Sequence, residues 1–355
     1  MIRQIRVKNF KSFDDLTVTL NKVNVLVGPN GSGKSNFVDL FLFLKGFVKP
    51  QSFPPYPFTY WGGYKNLVYM NDDNLNVEVE IQADEYYYRF SVNGKVGLKV
   101  LEEDLKYKDV EIKRKYNEVE VDGKKFNIDL SLSIFHVVQR VGSFILSQFP
   151  IPSSEMLDFI TKFGNDIVVL KIDPYASLSP VPVYFSGLMV NGFGLPKLLF
   201  TQLPKLIQDF LDELNLSIKI DVSPEGNFIM YLIERIGNRE VMLHPSSIPS
   251  GVIKMLTILG SISILKPYVI VIDEVENSLH LNFIERLIDI FNYSEPQVIM
   301  TTHSPMVIDL VDPKDVLIVD KEEGKSVMRR FKDVNSIKNM LKEKGLLLSE
   351  YLLYS

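Results

Sequence analysis

The stretch VNVLVGPNGSGKSNFVDLFLFL, residues 23–44, decides the fold of this chain. It begins with five residues of strand composition, passes through the glycine-rich segment GPNGSGKS at residues 28–35, and continues with apolar residues at helical spacing. Glycines at such a turn allow backbone conformations closed to other residues, so successive N–H groups converge on phosphate oxygens beside the positive end of the helix. The pattern G-x-x-x-x-G-K-[ST] between a strand and a helix therefore predicts a phosphate-binding loop.

The loop pattern also assigns chemistry to two side chains. Lys34 is expected to reach the β- and γ-phosphates of a nucleotide, and Ser35 to ligate Mg²⁺. The structural alternative is an ordinary glycine turn before a helix. A loop of this kind predicts nucleotide binding but does not distinguish between the classes of nucleotide-binding protein.

Composition excludes several classes of protein. The chain has 355 residues, 46% of them hydrophobic, which is enough for a sizeable core. A net charge of −5 argues against bulk electrostatic coating of nucleic acid, so any DNA contact must be local. The absence of cysteine excludes disulfides, thiolate zinc sites and a cysteine nucleophile.

No targeting or membrane segment is predicted. The N-terminal MIRQIRVKNFKSF carries charges at short intervals and lacks the apolar core of a signal peptide. The apolar tract MLTILGSISILKPYVIVI is split by Lys266 and Pro267, so it predicts a core helix followed by a core strand, and no membrane span. We expect a cytoplasmic protein.

A second strand ends in acids. The segment KPYVIVIDEVENSLH has the composition of a buried parallel strand that delivers Asp273 and Glu274 at its carboxyl end, where ligands bind in such sheets. Asp273 is expected to bind Mg²⁺, directly or through water, and Glu274 to orient and deprotonate the attacking water. The alternative is a strand that simply ends in solvated acids.

Two further segments complete the pattern. The strand-like QVIMTTHSP ends in His303, which can hydrogen-bond a γ-phosphate and so report its presence, although most isolated histidines are structural. Before the acidic strand, Pro249, Ser250 and Gly251 open an apolar helix whose first N–H groups can face an anion.

In this order the segments resemble the ABC-type ATPase heads of the SMC/RecF group. More narrowly they resemble the single-chain AAA family ATPases related to the ATPase half of overcoming-lysogenization-defect nucleases. Residues 2–44 resemble the first hairpin and Walker A of that group, PSGVIKML its signature motif, VIVIDEVENSLH its Walker B and D-loop, and MTTHSP its histidine switch. The matching parts lie at about residues 1–45 and 245–310.

The resemblance implies ATP and Mg²⁺ as ligands and a dimer of two heads around ATP. It implies Glu274 as general base, with Lys34 and His303 also in the catalytic set, and Ser35 and Asp273 as metal ligands. The nucleotide contacts that it implies are Gly28, Asn30, Gly31, Ser32, Gly33, Lys34, Ser35, Asn36, Lys11, Ser12, Ser250 and Gly251.

The chain departs from the family pattern at two places. Pro249 stands where the signature usually has a serine, so Ser250 and Gly251 must supply any contact to the γ-phosphate of an opposing head. The Q-loop glutamine is not identified, and Gln139 is a weak candidate for it. The residues after His303 show no acid-rich TOPRIM pattern, so we expect no DNA cleavage by the chain itself.

We predict an α/β fold, a P-loop ABC-ATPase head with a mostly parallel core sheet. Residues 1–130 are predicted to form an N-terminal lobe with Walker A and antiparallel strands. Residues 131–245 are predicted to form an inserted, partly helical region in place of a coiled coil. Residues 246–355 are predicted to form a C-terminal lobe with signature, Walker B and histidine switch.

The sequence leaves the biological role open between two hypotheses. One is DNA maintenance or repair, for which the basic clusters 113–115, 124–125 and 329–330 are the first DNA candidates, although interleaved acids favour plain solvated faces. The other is control of a separate nuclease or toxin in a defence system, which requires an effector protein as partner. A membrane transporter subunit fits less well, because those carry a complete signature and a clear Q-loop.

Overall fold

The structure is a computed structural model that describes residues 1–49, 55–121, 123–137 and 154–354. Gln139, the weak Q-loop candidate, lies outside these residues. The chain divides into two compact units, one made of Met1–Ile167 with Asp312–Ser355 and the other of Val168–Val311. The division into three segments that the sequence suggests remains a prediction.

The described residues form the following strands and helices. The strands are β1 (Ile2–Phe10), β2 (Phe13–Thr19), β3 (Val23–Val27), β4 (Val77–Ala83), β5 (Tyr86–Asn93), β6 (Lys99–Tyr107), β7 (Val110–Lys115), β8 (Glu118–Val121), β9 (Lys124–Asn127), β10 (Ile167–Leu170), β11 (Val181–Pro182), β12 (Leu216–Val222), β13 (Asn227–Ile236), β14 (Arg239–Leu243), β15 (Val269–Ile272), β16 (Gln297–Thr302), β17 (Val316–Glu322) and β18 (Lys325–Arg329). The helices are α1 (Lys34–Val48), α2 (Ser154–Phe163), α3 (Pro174–Leu178), α4 (Leu195–Thr201), α5 (Lys205–Glu213), α6 (Ser250–Gly260), α7 (Leu281–Tyr293), α8 (Pro305–Leu310), α9 (Val334–Lys344) and α10 (Leu348–Tyr354).

The first unit contains a large antiparallel sheet with the strand order β2-β1-β4-β5-β6-β7-β8-β9. Its strands alternate as expected for a sheet with one covered face; in β4, for example, Val77, Val79 and Ile81 are buried while Glu78 and Glu80 point the other way. This sheet confirms the predicted antiparallel N-terminal lobe.

The strand, loop and helix of the phosphate-binding motif also lie in the first unit. All five residues of β3 are buried, and β3 pairs in parallel with β17, which forms an antiparallel hairpin with β18. Helix α1 buries Phe37, Phe41 and Phe43, and the Phe37 ring packs edge-on against Phe13 of β2. The predicted order of strand, glycine loop and helix is confirmed.

The second unit contains a parallel layer in which β15 pairs with β16. The N–H of Asp273 donates to the carbonyl of Leu170, the last residue of β10. Helix α6 leads into one wider helical turn, Ser261–Leu265, and then into β15. The apolar tract is thus a core helix and a core strand, as predicted. Within the part of the chain that the structure describes, no helix is both long and apolar enough to cross a membrane.

Residues predicted as partly helical include α2, α4 and α5, and Pro204 separates the last two. They also include the long antiparallel hairpin of β12 and β13, with β11 and β14 on the other side of β13. This hairpin was not predicted from the sequence.

The basic cluster at residues 113–115 is not a uniformly solvated face. Because side chains alternate along β7, Lys113 and Lys115 are exposed while the side chain of Arg114 is 0% exposed. Arg114 pairs with the buried Glu103 at 3.4 Å and donates to backbone carbonyls of Tyr116 and Asp129. Arg114 is therefore a structural residue, and its place among the DNA candidates was wrong.

Candidate nucleotide-binding site

The glycines of the phosphate-binding loop are required by its geometry. Gly31 and Gly33 have φ of +76° and +118°, values that side chains with a Cβ rarely adopt. Gly28 has an ordinary φ, but a Cβ there would overlap the carbonyl oxygen of Val319 in β17. Each glycine thus has a local physical reason, and together they give the loop the shape that the motif predicts.

The polar groups of the loop suit a phosphate. The ammonium of Lys34, a residue only 4% exposed, donates to the carbonyls of Gly28 at 2.7 Å and Pro29 at 2.9 Å, so it lies inside the loop. Among the residues that the structure describes, no side chain caps the start of α1. The hydroxyl of Ser32 is buried and has no hydrogen-bond partner among the described residues. A buried cation, an uncapped helix start and an unsatisfied hydroxyl at one loop fit an anion with several oxygens.

Ser12, predicted to lie near the nucleotide, is joined to the loop by a chain of hydrogen bonds. Asn36 donates its amide to the Ser12 hydroxyl at 2.7 Å, and the Ser12 hydroxyl lies 2.7 Å from that of Ser326 in β18. Ser326 in turn contacts the carbonyl of Ser32 at 2.5 Å. Because a carbonyl only accepts, the Ser326 proton points to Ser32 and the Ser12 proton to Ser326. These hydrogen bonds connect the loop to the first hairpin through Ser12 and to β18 through Ser326.

Lys11, the other residue of the first hairpin that the resemblance implies near the nucleotide, is held by Asp39 of helix α1. Its ammonium forms an ion pair with the buried Asp39 and lies 5.6 Å from the centre of the Trp61 ring. The indole N–H of Trp61 donates to the same carboxylate at 3.3 Å. The structure therefore places Lys11 beside helix α1 and gives its charge a protein partner.

The acidic strand end in the second unit is organised by Thr301. Since Ile272 pairs with Met300, Asp273 lies beside Thr301 in the parallel register. The Thr301 hydroxyl donates to Asp273 Oδ1 at 2.6 Å and accepts the N–H of Glu274 at 2.8 Å. One buried hydroxyl thus sets the position of both acids that the sequence singled out.

The carboxylate of Glu274 is exposed and accepts from Asn277 Nδ2 at 2.5 Å. Its backbone has φ +50°, which is unusual for a residue with a side chain. Such strained backbone is found at functional sites when neighbouring groups hold it in place. An exposed, oriented carboxylate on a constrained backbone can act as a general base toward water.

His303 and the signature helix occupy the same unit. The side chain of His303 is exposed, and its backbone N–H donates to Glu276 Oε1 at 2.7 Å. Ser250 is exposed at the start of α6. Gly251 follows it, and a Cβ there would lie 2.6 Å from the carbonyl oxygen of Ser278. The histidine and the helix start are thus presented on the surface of this unit.

Oxygen ligands suited to Mg²⁺ are present at both predicted positions. Ser35 is exposed in the first turn of α1, and the carboxylate of Asp273 is partly exposed at the end of β15. Among the described residues no cluster of three or more acidic, histidine or cysteine side chains could hold a metal alone. Mg²⁺ bound with a nucleotide takes few protein ligands and completes its shell with phosphate oxygens and water.

Several residues of the site were not predicted from the sequence. Thr301 and Asn277 lie inside quoted motifs, and a hydroxyl or amide next to a strand-end acid could have marked them. Lys254 is a lysine within an apolar helix, a pattern that signals a buried counter-ion. Ser326 lies almost 300 residues from the loop it contacts, and no local pattern indicates it.

Curated relatives and solved structures resemble the chain to different extents. An ATP/GTP phosphatase of Helicobacter pylori is 22% identical over 344 residues, 88% of each chain. The chromosome partition protein Smc of Methanocaldococcus jannaschii is 52% identical over 46 residues, which is 13% of this chain and 4% of Smc. The DNA double-strand break repair Rad50 ATPase of Sulfolobus acidocaldarius is 48% identical over 44 residues, 12% of this chain and 5% of Rad50. The chain therefore corresponds to a small part of Smc and Rad50.

The fold is that of SMC head domains. An Smc head crystallised with the C-terminal winged-helix domain of ScpA matches 95% of this chain and 99% of its own, with a TM-score of 0.52 and 16% identity. An Smc head with an extended coiled coil, bound to the C-terminal domain of ScpA derived from Pyrococcus furiosus, matches 96% of this chain and 98% of its own, with a TM-score of 0.51 and 15% identity. Residues 23–309, most of the chain, match one family. The protein is a member of the family described as AAA domain, putative AbiEii toxin, Type IV TA system.

Proposed function

We propose that the protein is a Mg²⁺-dependent ATPase that works as a switch, in which two copies pair around MgATP and separate after hydrolysis. The observation that carries this proposal is the strand, glycine loop and helix with Lys34 folded into the loop. The family, the SMC-head fold and a relative named ATP/GTP phosphatase support it.

Each residue has a role in this proposal. The loop amides and Lys34 bind the β- and γ-phosphates, while Ser35 and Asp273 are the protein ligands of Mg²⁺. Bound Mg²⁺ supplies charge neutralisation on the phosphate oxygens. Glu274 accepts a proton from the attacking water, and Asn277 orients its carboxylate at 2.5 Å. His303 donates to the γ-phosphate and responds to its loss.

The paired state is proposed from the signature helix. Ser250 is exposed at the start of an 11-residue helix, where backbone N–H groups and the helix dipole favour an anion. In the proposal this start meets the γ-phosphate held by the second copy, and hydrolysis removes that contact. Pro249 forms the turn before the helix with φ −58°, a value that proline adopts without strain.

For the downstream role we propose DNA maintenance, in line with the relatives named Smc and Rad50. A second candidate is control of a separate effector protein. It is favoured by the family description as a putative toxin system and by the exposed cations, since Lys113, Lys125 and Arg329 each lie within 3.0 Å of a carboxylate. The Smc heads bound to ScpA domains are also complexes with a partner protein.

The test of the ATPase proposal is Glu274→Gln, which keeps the size of the side chain but removes the base. We expect normal MgATP binding and a turnover lower by about 10²–10⁴-fold. The matched control is Glu285→Gln, the same change at an exposed glutamate on α7. Turnover equal to the wild type in Glu274→Gln, measured in a preparation free of contaminating ATPase, would refute the role of Glu274.

A further inference from the structure

A buried lysine in the signature helix carries an inference beyond these roles. Lys254 is 3% exposed and lies in a run of α6 that is buried from Val252 to Gly260. Its ammonium donates to the backbone carbonyl of Glu274 at 2.6 Å. A lysine is rarely buried in an apolar helix without a partner, and here the partner of the ammonium is the Glu274 carbonyl.

The surroundings of the ammonium are acidic. Burial lowers the pKa of Lys254 to about 8, against the opposing effect of Glu276, Glu274 and Asp273, whose charges favour the ammonium. Among these charges that of Glu276 has the largest effect. Glu276 also accepts the backbone N–H of His303. The contact made by this ammonium is to the acidic strand end, at the backbone of Glu274.

Glu274 is held from three sides. Its N–H donates to Thr301, its carbonyl accepts from Lys254, and its carboxylate accepts from Asn277. These three contacts surround a residue at φ +50°. Because L-residues disfavour this conformation, removing one contact lets the backbone relax and moves the carboxylate.

We propose that Lys254 is a positioning residue that couples the start of the signature helix to the general base Glu274. The inference rests on the proposed function, because Ser250 at the same helix start is the group expected to meet the second copy's nucleotide. When that contact forms, it fixes the start of the helix. Because Lys254 lies four residues farther along the same helix, its ammonium and the Glu274 backbone that it contacts are fixed as well. Hydrolysis then depends on pairing.

The test compares Lys254→Met with Lys254→Arg by steady-state ATP hydrolysis. Methionine keeps length and apolar contact but has no donor, whereas arginine keeps the charge and N–H groups. We expect Lys254→Met to lower kcat by about 10–100-fold with KM for ATP within about threefold of wild type, and Lys254→Arg to recover at least a third of kcat. Lys254→Met should also retain the MgATP-dependent pairing and so accumulate paired protein.

The control is Lys45→Met, which removes a half-buried lysine in the first unit whose pKa is also lowered to about 8. It should leave kcat unchanged. If Lys254→Met does not fold, Lys254→Leu, which also lacks a donor, is measured in the same way. A folded Lys254→Met or Lys254→Leu with wild-type kcat, or a loss that arginine does not recover, overturns the positioning role. A wild type that hydrolyses no MgATP overturns the proposed function and this inference together.

Discussion

Replacing Thr301 by valine tests the geometry of the acidic strand end. Valine has nearly the shape of threonine, so the substitution removes a hydroxyl while leaving packing in place. In the structure that hydroxyl is buried, donates to Asp273 at 2.6 Å and accepts the N–H of Glu274 at 2.8 Å. Both contacts are lost at once.

The loss of stability follows from the two groups that lose a hydrogen bond, the Asp273 carboxylate and the Glu274 N–H. Losing a hydrogen bond to an ionised carboxylate costs about 1.5–3 kcal/mol, and leaving a partly buried N–H without a partner costs about 1–3 kcal/mol. Asp273 keeps a cationic neighbour, since Lys171 lies 3.5 Å from its other oxygen. We therefore expect the free energy of unfolding to fall by about 2–4 kcal/mol.

Turnover should fall as well, because Glu274 loses the contact that fixes its N–H. A displacement that costs about 1.4–2.8 kcal/mol of transition-state stabilisation lowers kcat by about 10–100-fold. Thr301→Ser keeps the hydroxyl and should stay within about threefold of wild type.

Urea unfolding followed by circular dichroism gives the stability change, and a coupled ATPase assay gives kcat. Wild-type stability together with wild-type kcat in Thr301→Val would show that the hydroxyl does not organise the two acids. An equal loss in Thr301→Ser would show that shape, rather than hydrogen bonding, is responsible.

Three further predictions address the loop, a buried charge and DNA. Lys34→Ala should abolish ATP hydrolysis, since it removes the ammonium from the loop; persistent turnover in pure protein contradicts the loop's role. Lys45→Met should be more stable than wild type at pH 7 by up to about 3 kcal/mol, because burial lowers the pKa of Lys45 from 10.5 to about 8. The unfolded chain binds that proton more tightly, so the stability of the wild type rises between pH 8 and 10.5 and the stability difference between Lys45→Met and wild type shrinks. If urea titrations show a constant stability difference over this pH range, the lowered pKa of Lys45 is wrong. If Lys113 and Lys115 contact phosphates, reversing both charges should reduce the magnitude of the log–log salt slope of DNA binding by roughly 1.8, and no binding at about 50 mM salt favours the effector role.

Local pattern accounts for what the sequence could predict. The loop glycines, the helix after them and the strands that end in Asp273 and His303 are encoded by adjacent residues, so spacing and composition are enough to find them. The antiparallel lobe follows in the same way from alternating side chains.

The remaining features depend on contacts between distant parts of the chain. Arg114 looks like one of three surface cations until the pairing of β6 and β7 places it against Glu103. Ser326 supports the loop because β18 returns to the first hairpin, a consequence of topology and not of local composition.

Gly251 illustrates a third case, in which a predicted residue has a different physical reason. The sequence suggested a glycine that lets the backbone approach phosphate. In the structure a Cβ at Gly251 would also meet the carbonyl of Ser278, so an arginine there would disturb the loop after the acidic strand as well as the helix start. Ser250, which is exposed, is the cleaner position for testing the paired state.

The most direct test of the switch is the mass in solution of Glu274→Gln with MgATP and with MgADP, measured by light scattering at tens of micromolar protein. We expect a dimer with MgATP and a monomer with MgADP, because the variant holds ATP without hydrolysing it. Adding Ser250→Arg, which places a bulky side chain at the helix start, should remove the ATP-dependent dimer while MgATP still binds. A Glu274→Gln protein that is fully loaded with MgATP and remains monomeric would contradict the pairing of two copies around the nucleotide.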